Sequence, residues 1–182
     1  MDEFIFFWGH HAKQPGVVGP HVFSQWWPAS FTVDGVTYPT AEHWMMCAKA
    51  RFCNDEEKVQ EILADRDPAR AKWLGRHIAN WDEVAWVGVR LDVVTQGSFH
   101  KFDQNPALGD YLISTGTKTL VEASPHDRIW GVGMKGDDPR ITDPKQWNGL
   151  NLLGMALMLA RADLILQRKL DVAEALADAK GG

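Results

Sequence analysis

The sequence predicts an α+β fold, helix-rich, with a small antiparallel sheet or hairpin. Three observations carry that prediction. Helix start signals recur along most of the chain, with Thr, Asp or Asn placed just before a run of helix formers, twice with Pro at the first helical position. Strand-like runs are few and short. The regular strand-helix alternation of a doubly wound parallel sheet is missing. At 182 residues the chain is long enough for one well-buried core and short for two, so a single domain over residues 1–182 is expected.

Phe4 to Trp8 is an unbroken apolar run and reads as a short buried strand. The His-, Gly- and Pro-containing stretch through Pro20 has no strong periodicity and reads as a loop able to line a cleft. Ser30 to Pro39 places β-branched and aromatic residues on either side of Asp34-Gly35, the pattern of a tight hairpin. Thr40 then caps a helix over Ala41 to about Phe52. Asp67-Pro68 starts another that ends near Gly75. A long helical segment runs from about Asp82 to Phe102, weakened by Gly88 and Gly97. Asn105-Pro106 opens a further helix that Gly116 stops. Thr119 to Glu122 is strand-like. From Ala123 to Trp147 the chain is rich in Gly, Pro and Asp yet studded with aromatics, and a loop of that length is usually functional. Leu150 to about Ala179 is helical, with an apolar stripe through Leu153 and Leu157 and a polar end at Lys180 that should fray.

Composition narrows the function. A net charge of −5 disfavours a nucleic-acid partner, because affinity for a phosphate backbone comes from clustered Lys and Arg. No segment approaches the ~20 apolar residues of a membrane span, and the apolar run near the amino terminus is shorter than a signal-peptide core. The two cysteines, Cys47 and Cys53, fall on one predicted helix, a poor framework for a disulfide, so a cytoplasmic location is expected. Nine Trp residues are a surplus that serves a thick core or a site for a flat heteroaromatic ring.

Several motifs lead nowhere. Gly131 to Gly136, GVGMKG, matches a dinucleotide fingerprint by letter, but no helix start follows it. His43, Cys47 and Cys53 have no second ligand pair at zinc-like spacing, so no metal site is expected. Glu42 lies in the first turn of its helix, where the macrodipole favours a carboxylate; Lys49, seven residues on, shares its face, so the pair can face one cavity. Asp127 reads as a turn residue, yet Trp130 beside it makes a carboxylate-indole pair suited to holding a flat base. Asn148 and Asn151 read as caps of the last helix, with Asn148 favoured.

Taken in order, FSQWWP, VDGVTYPTAEHW with Lys49 downstream, AKWLGR, Trp86 followed by Arg90, KFDQN, LVEASPHDRIWGVG and WNGLNLLGMALM with Arg161 resemble the NADAR (YbiA-like) family over about residues 4–162. The resemblance implies an N-glycosidase that hydrolyses the bond between ribose and the base-derived amine of ribosylaminopyrimidine 5′-phosphates, early intermediates of the riboflavin pathway. It implies Glu42 and Asp127 as catalytic residues and Trp86 and Trp130 as walls for the base. Trp81 is set aside, since Trp86 has the better spacing to Arg90 and to Lys101-Phe102. The matched blocks also offer Lys49, Arg76, Arg90 and Lys101 for the 5′-phosphate, and Ser24 and Asn151 as further substrate contacts. Gln25, where many members have Asn, and the WMMCAKA stretch depart from the family pattern near the expected pocket.

The resemblance further implies a small ribose-phosphate substrate and hydrolysis without a cofactor. Positive charge spread over C1′ and the ring oxygen in the transition state is stabilised by nearby carboxylates, one of which activates water. Two alternatives accompany this reading: an enzyme that removes ADP-ribose from guanine in DNA or RNA, and a non-catalytic module that binds NAD or ADP-ribose.

Overall fold

A computed structural model describes residues 3–12 and 14–181. In chain order the elements are β1 (Phe4–Phe7), β2 (Phe31–Val33), β3 (Val36–Tyr38), α1 (Ala41–Phe52), α2 (Glu56–Ala64), α3 (Pro68–Gly75), α4 (Glu83–Asp103), α5 (Pro106–Ser114), β4 (Thr119–Glu122) and α6 (Leu152–Gly181). The helix-rich α+β class expected from the sequence is what the chain adopts. No helix among the described residues is long and apolar enough to cross a membrane.

Local signals explain most boundaries. Asp34 (φ 49°) and Gly35 (φ 77°) both occupy the left-handed region, the conformation of a two-residue hairpin turn, so β2 and β3 pair antiparallel with Phe31 opposite Tyr38. Thr40 caps α1 by accepting from the His43 N–H. His43 Nε2 lies 3.0 Å from the Asp65 carbonyl, which can only accept, so Nε2 donates and Nδ1 accepts the Thr40 hydroxyl at 2.8 Å. Burial lowers the pKa of this histidine, consistent with that neutral tautomer. Asp67 and Asp82 cap α3 and α4 through their side chains. The sequence reading assigned nothing to α2, although Asp55 caps it and Val59 and Ile62 bury its inner face. Gly97 is less a weak point than a packing device: a Cβ there would sit 2.3 Å from Cδ1 of Trp44, whose indole N–H donates to the Val93 carbonyl at 2.7 Å.

Two features depend on long-range contact. β1 and β4 pair in parallel, Phe4 opposite Thr119 and Phe7 opposite Glu122, a pairing that neither strand announces alone. The last helix begins at Leu152, and Asn151, not Asn148, stands directly before it. Asn151 has φ 53°; its Oδ1 accepts from Glu122 N–H at 3.0 Å and its Nδ2 donates to Leu120 C=O at 2.9 Å. The first N–H groups of α6, Leu152 and Leu153, donate to the carbonyls of Ile129 and Trp130. Asn148 instead donates its N–H to Val132 C=O.

The main core gathers Phe23, Phe31, Tyr38, Phe102, Leu112 and Leu157 among the hairpin and helices, and a smaller cluster of Val121, Val132, Met134 and Ile141 packs around β4. Asn151 joins the two through β4. Replacing it (Asn151→Ala) leaves a buried N–H and a buried C=O without partners, and the expected cost is about 2–4 kcal/mol in urea unfolding. A loss below about 0.5 kcal/mol would show that water takes over both groups.

Candidate functional site

Parallel pairing puts the carboxyl ends of β1 and β4 at one edge, the place where ligands collect in parallel sheets. A cavity of about 630 Å³ opens there. The chain beyond β1 contributes Trp8 and His10, and the chain beyond β4 contributes Ser124, His126 and Asp127. Ser24, Gln25 and Trp26 form a second wall. Glu42 enters from the amino end of α1 and Lys49 from its third turn, while α3 adds Lys72 and its C-cap adds Arg76. Trp81, Glu83, Trp86 and Arg90 close the far side.

Of the site residues expected from the sequence, Glu42, Asp127, Trp86, Trp130, Lys49, Arg76, Arg90 and Ser24 line this hollow. Lys101 and Asn151 do not. Lys101 is fully buried, and its Nζ donates to the carbonyls of Val22 (2.7 Å) and Ser24 (2.8 Å); it holds the chain that carries Ser24 and Gln25 and has no path to a phosphate. Asn151 spends its amide on β4, as described above. Trp26, Lys72, Trp81 and Glu122 are among the lining residues that the sequence does not assign to the site. Lys72 was within reach, since it precedes Arg76 by one helical turn in the AKWLGR block. An acid at the end of the apolar run TLVEA was the signal for Glu122.

Glu42 occupies the second position of α1, and its N–H donates to the Gln25 carbonyl at 3.0 Å. The residue is 3% exposed, and its Oε1 has no hydrogen-bond partner. Burial pushes its pKa up from 4.5 to about 7; Lys72, Trp26 and Lys49 pull against that, and Asp127 adds to it. Glu122 is partly open to the cavity, but its Oε2 is shut from solvent, again without a partner. Burial, then the Asp127 charge, raise its pKa to about 8, with Lys72 opposing and Glu42 adding. Gln25 Nε2 is the third such atom on this wall. Buried polar atoms are nearly always paired, so three unpaired ones around one hollow mark where a ligand's own polar groups belong. Asp127 differs: its Oδ1 accepts from the N–H groups of Ile129 (2.8 Å) and Trp130 (2.7 Å). That turn sets Trp130 and leaves the other oxygen for further partners.

Flat rings and cations complete the lining. Trp81 and Trp86 have centroids 5.5 Å apart, and Lys49 Nζ stands 4.0 Å from the Trp81 ring and 5.9 Å from Trp86. Trp86 is only 5% exposed, so the half-buried Trp81, set aside on spacing, presents more of its face. Across the hollow, Trp8 lies against His126 and Trp26 against His10. Among the described residues the ion pairs are Lys58–Glu61, Arg140–Asp138 and Arg168–Asp110, all elsewhere. Lys49, Lys72, Arg76 and Arg90 therefore line the cavity without an ion-pair partner, which suits an anionic ligand.

Glu42 and Glu122 bind protons more tightly in the folded chain than in the unfolded one. The stability each contributes is fully present below about 4.5 and is lost as pH rises through about 7 and about 8. Thermal unfolding against pH should therefore show Glu42→Gln overtaking the parent chain as pH climbs, by on the order of 3 kcal/mol at the alkaline end. Parallel curves for the two proteins would contradict the burial of a charged carboxyl at this position.

Comparison with known proteins places this geometry. The family model described as NADAR domain matches residues 6–165. The N-glycosidase R617 of Acanthamoeba polyphaga mimivirus is 38% identical over 167 residues, covering 89% of this chain and 96% of that protein. The N-glycosidase YbiA of Escherichia coli is 31% identical over 142 residues, 78% of this chain and 79% of YbiA. Its NMR structure superposes with a TM-score of 0.73 at 27% identity, covering 92% of this chain and 89% of that one. A longer relative, the riboflavin biosynthesis protein VVA0006 of Vibrio vulnificus, is 32% identical over 142 residues that make up 78% of this chain and 35% of that protein. With the family model spanning most of the chain and a full-length relative at this identity, the chain belongs to the NADAR domain family of N-glycosidase-related proteins.

Proposed function

We propose that this enzyme hydrolyses the bond between ribose and an exocyclic amine nitrogen, with a ribosylaminopyrimidine 5′-phosphate of the early riboflavin pathway as its substrate. One observation carries the reading: two carboxyls with partnerless oxygens share one cavity with four cations that have no ion-pair partner. Such a site matches a substrate that carries a phosphate and develops positive charge in its transition state. A volume near 630 Å³ falls within the ~300–1,000 Å³ typical of small-molecule pockets. The relatives named N-glycosidases support the bond type, and the relative named for riboflavin biosynthesis supports the pathway.

Lys49, Lys72, Arg76 and Arg90 meet the 5′-phosphate. Trp81, Trp86 and Trp130 hold the pyrimidine, leaving C1′ near the carboxyls. Bond cleavage spreads positive charge over C1′ and the ring oxygen, and Glu42 and Asp127 lower its energy. Glu42 takes a proton from the attacking water, for which an acid ionising near neutrality is well tuned. Asp127 accepts from the ribose hydroxyls through its open oxygen. Hydrolysis of this kind requires no cofactor. The free thiols Cys47 and Cys53 fit a reducing cytoplasm.

Glu42→Gln keeps the shape and removes the charge, and it should cut kcat by about 10² or more with the fold intact. The parent rate should rise as pH increases through about 7, where Glu42 ionises. Mass spectrometry of reactions with a ribosylaminopyrimidine phosphate, ADP-ribosylated DNA and NAD should find released base only in the first. Parental turnover by Glu42→Gln would remove its role, and release from either of the other two substrates would replace the substrate class.

A further inference from the structure

An amine does not leave ribose readily as an anion, so the departing nitrogen needs a proton as the C–N bond breaks. Both carboxyls assigned above already have other work. Glu42 serves the attacking water, and one oxygen of Asp127 already accepts two backbone N–H groups. Glu122 has the required setting. Its backbone is fully engaged: the N–H by Asn151 Oδ1 at 3.0 Å and the carbonyl by Val132 N–H at 2.9 Å. Its side chain reaches the cavity wall with one oxygen sealed from solvent and unpaired. A carboxyl in that position avoids the penalty of a buried charge by keeping its proton.

We propose that Glu122 is the proton donor to the departing nitrogen, a third working carboxyl beside Glu42 and Asp127. The inference rests on N-ribosyl hydrolysis as the reaction of the site. The Glu122 proton passes to the amine nitrogen, which keeps the electron pair of the broken C1′–N bond. Water oxygen bonds to C1′ and its proton passes to the Glu42 carboxylate. Glu122 is then ionised and Glu42 protonated, and one proton transfer between them through water restores the starting state.

The surroundings keep the two acids unequal. Glu122 meets Asp127 from the loop after β4, Glu42 from α1 and Lys72 from α3, while β1 sets Phe7 opposite it and α6 the uncharged Asn151. Two acids and one cation favour its neutral form. Glu42 has two lysines, Lys72 and Lys49, against the acids Asp127 and Glu122, and the extra cation favours its ionised form over that of Glu122. Pairs of acids pushed apart in this way are how one site runs acid and base chemistry together.

The test compares two substrates for Glu122→Gln, Glu122→Asp and Glu42→Gln. One is the ribosylaminopyrimidine 5′-phosphate; the other is 4-nitrophenyl ribofuranoside 5-phosphate, whose nitrophenolate leaves without a proton. Glu122→Gln should lose about 10²-fold or more in kcat on the amine substrate, stay within about tenfold of the parent on the nitrophenyl one, and lack the fall in rate above about pH 8 that ionisation of Glu122 should give the parent. Glu122→Asp, which keeps an acid, should retain that fall, and Glu42→Gln should slow both substrates. Equal losses of Glu122→Gln on both substrates, or a parental rate on the amine, would overturn the inference alone. A parent enzyme that releases nothing from the amine substrate would overturn the N-ribosyl reading and this inference with it.

Discussion

A carboxyl shut away from water with an oxygen left unpaired is costly, and the site is organised around tolerating that cost at Glu42. Its surroundings are tied together by hydrogen bonds. The Thr40–His43–Asp65 chain of hydrogen bonds fixes the amino end of α1, and the Glu42 N–H is tied to the Gln25 carbonyl. The Gln25 segment is itself held by the fully buried side chain of Lys101, which donates to the carbonyls of Val22 and Ser24. Each of these contacts spends a polar group on position instead of on solvent. The result is an acid whose ionisation is moved toward neutrality, and a local loss of stability of the kind active sites commonly carry.

The second organising fact is the parallel pairing of β1 with β4. It carries Trp8 and His10 to the same edge as Glu122, Ser124 and Asp127, and Asn151 locks that edge to the start of α6. The loop around Asp127 then serves two purposes. Its carbonyls receive the first N–H groups of α6, and its carboxyl orients Trp130. Fold and site therefore share the same hydrogen bonds.

Elements with local signatures were legible in the sequence. Asp34-Gly35 dictates the hairpin, and Thr40, Asp67-Pro68, Asp82 and Asn105-Pro106 mark helix starts within a residue or so of those observed. What was not legible depends on partners distant in the chain. Nothing in FIFF or TLVE says that the two pair in parallel, and the bridge made by Asn151 exists only because β4 runs beside it. Lys101 shows the same limit, since a lysine in a matched block reads as a phosphate ligand until burial and two carbonyl acceptors reveal a structural one. Glu122 was read as the end of a strand, and only its place at the cavity edge makes it a candidate acid. Glu42, read from position alone, is better explained by the helix dipole than by chemistry; the partnerless oxygen at a cavity wall is what turns the balance.

The chemistry proposed for the site depends on how Glu42 ionises, so the most direct measurement is a ¹³C NMR titration of its side-chain carboxyl in the ligand-free protein, assigned by the signal missing from Glu42→Gln. The structure predicts a midpoint near 7. A midpoint in the ordinary range for glutamate, around 4.3, would mean that water reaches the carboxyl freely, and the account of the site would be wrong.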